Sequence, residues 1–514
     1  MKLYSADQVR EFDRQTIEEI GLLGSVLMEN AGVAATNLFC ADFQTVFPGP
    51  VVVLAGKGNN GGDGYVMARH LHNRGWQVIT LVLAERAAIG GDASVNLRAL
   101  QACGGAVQFC PEGRSLDLAL ENLNAGVIID ALFGTGLSSP IQGHHARAID
   151  WINASVLPVF SVDIPSGIDA TTGRVLGRAV KAEETVTFAV AKIGQVLTPG
   201  CLHAGRLHVV DIGIPPKVTD AERAVVFVEA AEAGALFPAR PFAGHKGTFG
   251  HLLVVAGSVG KSGAAAMTAD GALRAGAGLV TVACPAGIHD ILETKLTEAM
   301  TVSLPDASGS LDLRAYDDIK GLWLQKKALV LGPGLGMSEG VSALAGCIVR
   351  DCPLPLVIDA DGINVLYDQK DLLSSRPVGT TVLTPHPGEM SRLTGVTVGE
   401  IESDRVGVAG EFAKKYGVIL VLKGARTVIS SPDGEIFINS TGNPGLATGG
   451  MGDVLTGVIA GLMAQGLSPL DASVLGVFWH GRAADDLGQV QGNAGMTATD
   501  LLRQLPLTRH QLLT

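Results

Sequence analysis

The chain has 514 residues, 47% of them apolar, and a formal net charge of -12 from 50 acidic against 38 basic residues. At roughly 100 to 200 residues per domain this length predicts two or three domains, and we expect two large ones. The acidic balance, without a dense Lys/Arg run, argues against nucleic acid as a partner, and no apolar stretch of about 18 residues is present to cross a bilayer.

The first residues, Met1 to Gln8, turn polar at once and carry no signal-peptide core. The seven cysteines contain no CxxC pair and are odd in number, so they read as reduced thiols and the chain as cytoplasmic. Its 67 glycines are about twice the usual share of roughly 7%, which points to many tight strand-to-helix turns.

In chain order, Ser5-Ala6-Asp7-Gln8 has the pattern of a capping box and predicts a helix from Ala6. Short β-rich apolar runs follow at 51–55, 78–83, 126–129, 157–162, 185–190 and 207–212. Helical stretches lie between several of them, including Tyr65 to Arg74 and Asp92 to Cys103, the latter with Asp92 as expected N-cap. Apolar strands alternating with helices predict a mainly parallel sheet covered on both faces. The pattern lapses around Ile214-Pro215-Pro216 and resumes near Leu252, with a helix expected over Ser262 to Ala275 and strands at 278–283, 328–331, 356–358, 381–383, 418–422 and 427–429. The expected architecture is therefore α/β throughout, in two sandwich domains over residues 1–220 and 226–510.

In the first half, the strand Val51 to Ala55 opens into Gly56-Lys57-Gly58-Asn59-Asn60-Gly61-Gly62-Asp63-Gly64. Glycines reach positive φ freely and let a backbone approach a ligand, so the stretch reads as an anion-cradling loop. A space-saving turn is the plainer reading, but Asn59, Asn60 and Asp63 among five glycines favour ligand contact. Two further strands deliver Asp130 and Asp163 to their carboxyl ends, the edge where open α/β sheets bind ligands. For both aspartates a helix N-cap or a structural role in the strand-to-loop turn is the competing, less favoured reading.

GKGNNGGDG, IDALFGTG and VDIPSGID together resemble the NAD(P)H-hydrate epimerase family over residues 1 to 215. The resemblance implies a Rossmann-like fold and a potassium ion held at Asn60, Asp130 and Ser166. It implies contact with the hydrated nucleotide by Asn59, Asn60, Gly61, Gly62 and Asp63, and by Gly134, Thr135, Gly136, Leu137, Ser138, Ser139 and Pro140. Asp163 would be the acid/base group, since inverting a hydroxyl-bearing ring carbon requires proton traffic.

In the second half, Asn443-Pro444-Gly445-Leu446-Ala447-Thr448-Gly449-Gly450-Met451-Gly452-Asp453 joins a run of amides to a carboxylate at a helix start, which suits phosphoryl transfer. Asp453 would take the proton of an attacking hydroxyl; a simple N-cap is the alternative. The segment resembles the ribokinase-like superfamily. His386 in Thr384-Pro385-His386-Pro387-Gly388-Glu389 departs from that superfamily's Asn-x-x-Glu pattern. With HKGTFGHLLVVAGS, SGAA and GPGLG, it makes residues 230 to 505 resemble the NAD(P)H-hydrate dehydratase branch. The resemblance implies that Ala264, Gly336, His386 and Asp453 touch the hydrated nucleotide. It implies that Lys423, Gly424, Ala425, Arg426, Thr427 and Gly452 hold an adenine nucleotide, with magnesium as the accompanying ion. Glu389 is read as a group behind the magnesium or as a surface carboxylate, and Lys423 to Thr427 as a nucleotide loop or a solvated hairpin turn.

Taken together, the resemblance implies a bifunctional repair enzyme that epimerises R and S hydrates of NADH or NADPH. It would dehydrate the S form at the expense of ADP, giving AMP and phosphate, and would assemble as a homo-oligomer, with a tetramer as the family form. A small-alcohol kinase joined to a dinucleotide-binding module is the alternative enzyme class. A non-catalytic first half, acting as a binding or scaffold module, is the third reading.

Overall fold

The computed structural model describes residues 1–43, 49–121, 123–220 and 223–513. They form two compact units, one over Lys2–Val225 and the other from Val226 onward together with Met1. Among the described residues no helix is long and apolar enough to cross a membrane.

The N-terminal unit opens with the helix Ala6–Arg14, and Ser5 and Gln8 close the expected capping box reciprocally. Its main sheet has seven strands, all parallel, in the spatial order Ala106–Phe109, Val78–Val82, Val51–Ala55, Val127–Ala131, Val159–Val162, Glu184–Phe188 and Arg206–Val210. The central strands are buried along their whole length because helices cover both faces, and this gives their near-continuous apolar sequence.

Two local expectations fail here. The helix expected from Tyr65 begins six residues earlier and runs Asn59–Asn73, with Gly58 as N-cap, so Asn60 to Gly64 form its first turns. None of Gly56, Gly58, Gly61, Gly62 and Gly64 has positive φ. Gly56, Gly61, Gly62 and Gly64 serve close approach instead, whereas a Cβ on Gly58 would meet open space. A Cβ on Gly61 would lie 2.0 Å from the carbonyl oxygen of Gly56, and one on Gly64 would lie 2.6 Å from Cβ of Ala131. Similarly, the helix expected from an Asp92 cap runs Gly91–Ala102 with Gly90 as N-cap, leaving Asp92 in the first turn.

The second unit carries a ten-strand arrangement in the order Met300–Leu304, Leu279–Pro285, His251–Val255, Ala328–Leu331, Leu356–Ile358, Thr381–Leu383, Ile419–Leu422, Val428–Ser430, Ile436–Asn439 and Val225–Val228. Only the hairpin steps around Val428–Ser430 are antiparallel. The helix over Ser262–Ala275 has the expected bounds and lies against the helix Met451–Ala464. Backbones nearly touch there, since a Cβ on Gly457 would sit 2.2 Å from the Thr268 carbonyl oxygen. That contact fixes the helix whose first turn holds Asp453.

Gly457→Val should therefore push the two helices apart. Overpacking of this kind costs about 1–3 kcal/mol, and urea melts of the full chain should show the loss in the transition of the second unit.

Candidate active sites

A cavity of about 940 Å³ lies in the N-terminal unit, among loops that follow the strands Val51–Ala55, Val127–Ala131 and Val159–Val162. Of the residues singled out from sequence, Asn59, Asn60, Asp63, all of Gly134 to Pro140, and Asp163 line it. Gly61 and Gly62 do not; they lie buried where the helix packs on Gly56 and Met28. Asp130 and Ser166 lie behind the wall, fully buried.

Asp163 adopts φ 66°, in the left-handed region. Hydrogen bonds at both ends of its peptide hold it there, its own N–H donating to Val186 O at 2.7 Å and Gln195 Nε2 donating to its carbonyl at 2.7 Å. Its carboxylate receives Lys192 Nζ on Oδ1 at 2.6 Å. The Lys192 ammonium also donates to Thr187 Oγ1 at 2.7 Å and Phe188 O at 3.3 Å, so its three protons are all placed and its side chain is 1% exposed.

Two further carboxylates line the same cavity, near enough to this pair to feel its charges. Asp63, nearly buried, is pushed well above the ordinary carboxylate range, first by burial and then by Asp163 and Asp13. Asp13, near the end of the first helix, is pushed up to about 6 by burial and by Asp163, with Lys192 acting in the opposite sense. Lys192 and Asp13 escaped the sequence reading. The lysine ends the apolar run 185–190 two residues beyond its assigned limit, while Asp13 looks like an ordinary polar position on an amphipathic helix.

Asp130 accepts four hydrogen bonds, from Leu132 N, Ser161 Oγ, Ser166 N and Ser166 Oγ. Burial nonetheless raises its pKa, and it has no cationic partner among the described residues. Both amide atoms of Asn60 are buried without a hydrogen-bond partner. An open amide acceptor and a desolvated carboxylate are the oxygen-donor types that suit a monovalent cation.

In the second unit the motifs converge from four strand ends. Asp453 is the third residue of the helix Met451–Ala464, whose N-cap Gly450 has φ 90°, and it makes no hydrogen bond or ion pair with any described residue. Its pKa is pushed up to about 7, chiefly by burial and then by Asp359, with Lys423 opposing. The N-cap alternative therefore fails, because Gly450 holds that position. Lys423 Nζ donates to Asp359 Oδ1 at 2.9 Å and lies 3.9 Å from Glu389 Oε2, and a Cβ on Gly452 would be 3.4 Å from the same ammonium. Thr456 Oγ1 donates to the other Asp359 oxygen at 2.7 Å.

His386 is the N-cap of the helix Pro387–Thr394. Its Nδ1 accepts from Gly388 N and Glu389 N, while Glu389 Oε2 accepts from His386 N at 2.8 Å. An accepting Nδ1 places the proton of the neutral ring on Nε2, and burial lowers the pKa further. Glu389 is 5% exposed, so the surface-carboxylate reading is corrected. Ala264 packs near Gly334, whose added Cβ would lie 3.1 Å from the Ala264 Cβ; Gly336, at φ 90°, donates its N–H to Asp361 Oδ2 at 2.9 Å.

Lys423 to Thr427 connect two antiparallel strands, so they do form a hairpin turn, but the lysine points into the carboxylate cluster rather than to solvent. Arg426 has φ 59° and donates to Ser440 O at 2.5 Å, Thr427 Oγ1 donates to Gly424 O at 3.0 Å, and Gly424, at φ 148°, lies close to the Arg405 guanidinium. Ala425 lies between them. The sequence reading missed Asp359 and Asp361, although Leu356–Ile358 delivers them at a strand end, the signal that located Asp130 and Asp163.

Fold and sites define a two-unit α/β enzyme with separate carboxylate-and-lysine centres, the second of ribokinase-like architecture. A family model described as NAD(P)H-hydrate dehydratase matches residues 252–507, and one described as YjeF-related protein N-terminus matches residues 24–194. The chain is 43% identical to the bifunctional NAD(P)H-hydrate repair enzyme Nnr of Moorella thermoacetica, over 100% of this chain and 97% of that protein. It is 37% identical to the enzyme of that name from Escherichia coli, over 98% and 93%. A solved ribokinase-like superfamily protein from Enterococcus faecalis is 26% identical with a TM-score of 0.50, covering 56% of this chain and 96% of that one. The chain belongs to the family of bifunctional NAD(P)H-hydrate repair enzymes. Full-length kinship with repair enzymes sets aside the vitamin or sugar kinase alternative.

Removing one partner of a buried ion pair strands the other, at a cost of about 3–5 kcal/mol. Lys192→Met should lose stability on that scale in denaturant melts, and adding Asp163→Asn should return most of it.

Proposed function

We propose that the two units act in turn on one damaged coenzyme, the first interconverting the R and S hydrates of NADH and NADPH and the second dehydrating the S form. The observation that carries this reading is the unpaired Asp453 carboxylate, held at a helix start beside Lys423, in a chain that also holds Asp163 at a cavity large enough for a nucleotide.

In the first unit Asp163 is the acid/base group. Asn59, Asn60, Asp63 and the stretch Gly134–Pro140 bind the hydrate from the walls they line. Asn60, Asp130 and Ser166 would hold potassium, which supplies a fixed positive charge near the substrate phosphates.

In the second unit Asp453 accepts the proton of the substrate hydroxyl. The freed oxygen attacks the terminal phosphorus of ADP, and AMP leaves as that phosphorus–oxygen bond breaks. The ring-nitrogen lone pair then expels phosphate, and loss of a proton from the neighbouring ring carbon restores the double bond. Lys423 to Thr427 and Gly452 hold the adenine nucleotide, while Ala264, Gly336 and His386 contact the hydrate. Among the described residues, four carboxylates, Asp359, Asp361, Glu389 and Asp453, share the two ammonium groups of Lys261 and Lys423, so nucleotide phosphates enter this site best with a divalent cation. Asp361 and Glu389 would hold magnesium, which draws charge from the phosphates. We also assign the protein to the cytoplasm, where its seven free thiols would stay reduced, and to a homo-oligomer.

The test is to incubate the protein with mixed epimers and ADP, ATP or neither, following each epimer and the reduced nicotinamide by chromatography. Restored NAD(P)H with free phosphate is expected, fastest with ADP, whereas a stable phosphorylated product would refute the reading. Asp453→Asn should lose dehydration by about 10²–10⁴ with epimer exchange intact, and Asp163→Asn should do the reverse. Unchanged exchange in the second variant would leave the first unit a scaffold. Because Asp453 acts as a base and its pKa is pushed up to about 7, the dehydration rate of the parent should rise through pH 7 and level off above it.

A further inference from the structure

Epimer exchange, as assigned to the first unit above, is achieved when oxygen leaves one face of a ring carbon and water returns to the other. One carboxyl group cannot serve both faces in a single passage. The departing hydroxyl needs a proton donor on its side, and the incoming water needs an acceptor on the opposite side. The cavity offers groups for both tasks. Asp163 enters from the sheet edge and is tied to Lys192 at 2.6 Å. Asp13 enters from another wall, the helix Ala6–Arg14, together with Val9 and Phe12.

The Asp13 carboxylate is half-buried, faces the cavity and makes no hydrogen bond or ion pair with any described residue. An acidic side chain placed near Asp163 and Asp63 without a cation of its own disfavours folding. Its persistence in the wall of a substrate-sized cavity is therefore unexplained by structure. Directly after it the chain leaves α geometry for a π-helical stretch, Gln15–Glu19, a distortion that re-aims neighbouring side chains and is frequent at functional sites.

We propose that Asp13 is the second catalytic carboxyl group of the epimerase site, working opposite Asp163 on the carbinolamine carbon of the hydrated nicotinamide ring. In one direction the Asp13 carboxylic acid gives its proton to the hydroxyl. The carbon–oxygen bond breaks, water leaves, and the ring-nitrogen lone pair forms a carbon–nitrogen double bond. Water then adds to the other face as that electron pair returns to nitrogen, and its surplus proton passes to Asp163. Substrate and product differ only in configuration, and one proton has moved between the two carboxyl groups. The reverse passage, or exchange with solvent, resets them. The electrostatics agree: burial and the neighbouring Asp163 push Asp13 up to about 6, so the protonated form is accessible near neutrality.

The inference rests on the epimerase reading, and the experiment separates the two. Purified full-length protein is given one epimer in ¹⁸O-labelled water without adenine nucleotide, with an enzyme-free control. If the parent protein interconverts nothing, the epimerase reading itself fails. If it does, its product epimer should carry solvent oxygen; unlabelled product overturns the carbon–oxygen cleavage and with it this role. Asp13→Asn and Asp13→Ser should lower kcat for exchange by about 10²-fold or more with KM within about threefold, and Asp13→Glu should recover much of the loss. Because the carboxylate has no hydrogen-bond or ion-pair partner among the described residues, both variants should melt no lower than the parent. Exchange within about threefold of the parent in a folded variant overturns the proposal, as does a large drop in melting temperature, which would mark Asp13 as structural.

Discussion

A lysine ammonium in a nearly dry pocket, bonded to one carboxylate while others stand close by, is the constraint on which each unit depends. Lys192 does this for Asp163 and Lys423 for Asp359. Neither lysine neutralises its surroundings, because each faces several acids. The excess is costly to bury, and one outcome is an acid that holds its proton more firmly than a free carboxyl group, so that both its forms are accessible near neutral pH. Asp13 and Asp453 are those acids, and the carboxylate of each is left without a hydrogen bond from any described residue.

The parallel sheets make that arrangement possible. A parallel strand ends at a loop rather than a hairpin, so its last side chain can point into the space between neighbouring connections. Val159–Val162 delivers Asp163 in this way, and Leu356–Ile358 delivers Asp359. Helices from other connections, Asn59–Asn73 after Val51–Ala55 and Met451–Ala464 after Ile436–Asn439, bring in a second acid, Asp63 in one unit and Asp453 in the other. Chemistry in both halves is thus a product of one structural habit, used on unrelated sequence motifs.

Legibility in the sequence followed the range of the interaction. The Ser5–Gln8 capping box and the helix Ser262–Ala275 rest on contacts within a turn or on a simple period, and both were readable. The alternation of apolar runs and helices gave the α/β class for the same reason. The helix Asn59–Asn73 was misread at its start because glycine is a poor helix former, whereas here tertiary packing demanded it against Gly56 and Ala131. Lys192 and Asp13 went unseen because their meaning lies in proximity to Asp163, 29 residues away in one case and in a helix at the far end of the unit's sequence in the other. Asp359 could have been found, since its strand-end position repeats a signal already used.

The tight seat of the Asn59–Asn73 helix also constrains how this protein could change over evolutionary time or under laboratory selection. Gly61 and Gly64, packed behind the N-terminal cavity, leave no room for even a methyl group, so the helix that carries Asn59, Asn60 and Asp63 into the cavity wall is held in place. The opposite ribbon, Gly134–Pro140, is mostly solvent-accessible and makes few demands on its neighbours. Altered selectivity for the shape of the bound molecule would have to arise there, which makes that short ribbon the adjustable jaw of an otherwise rigid clamp.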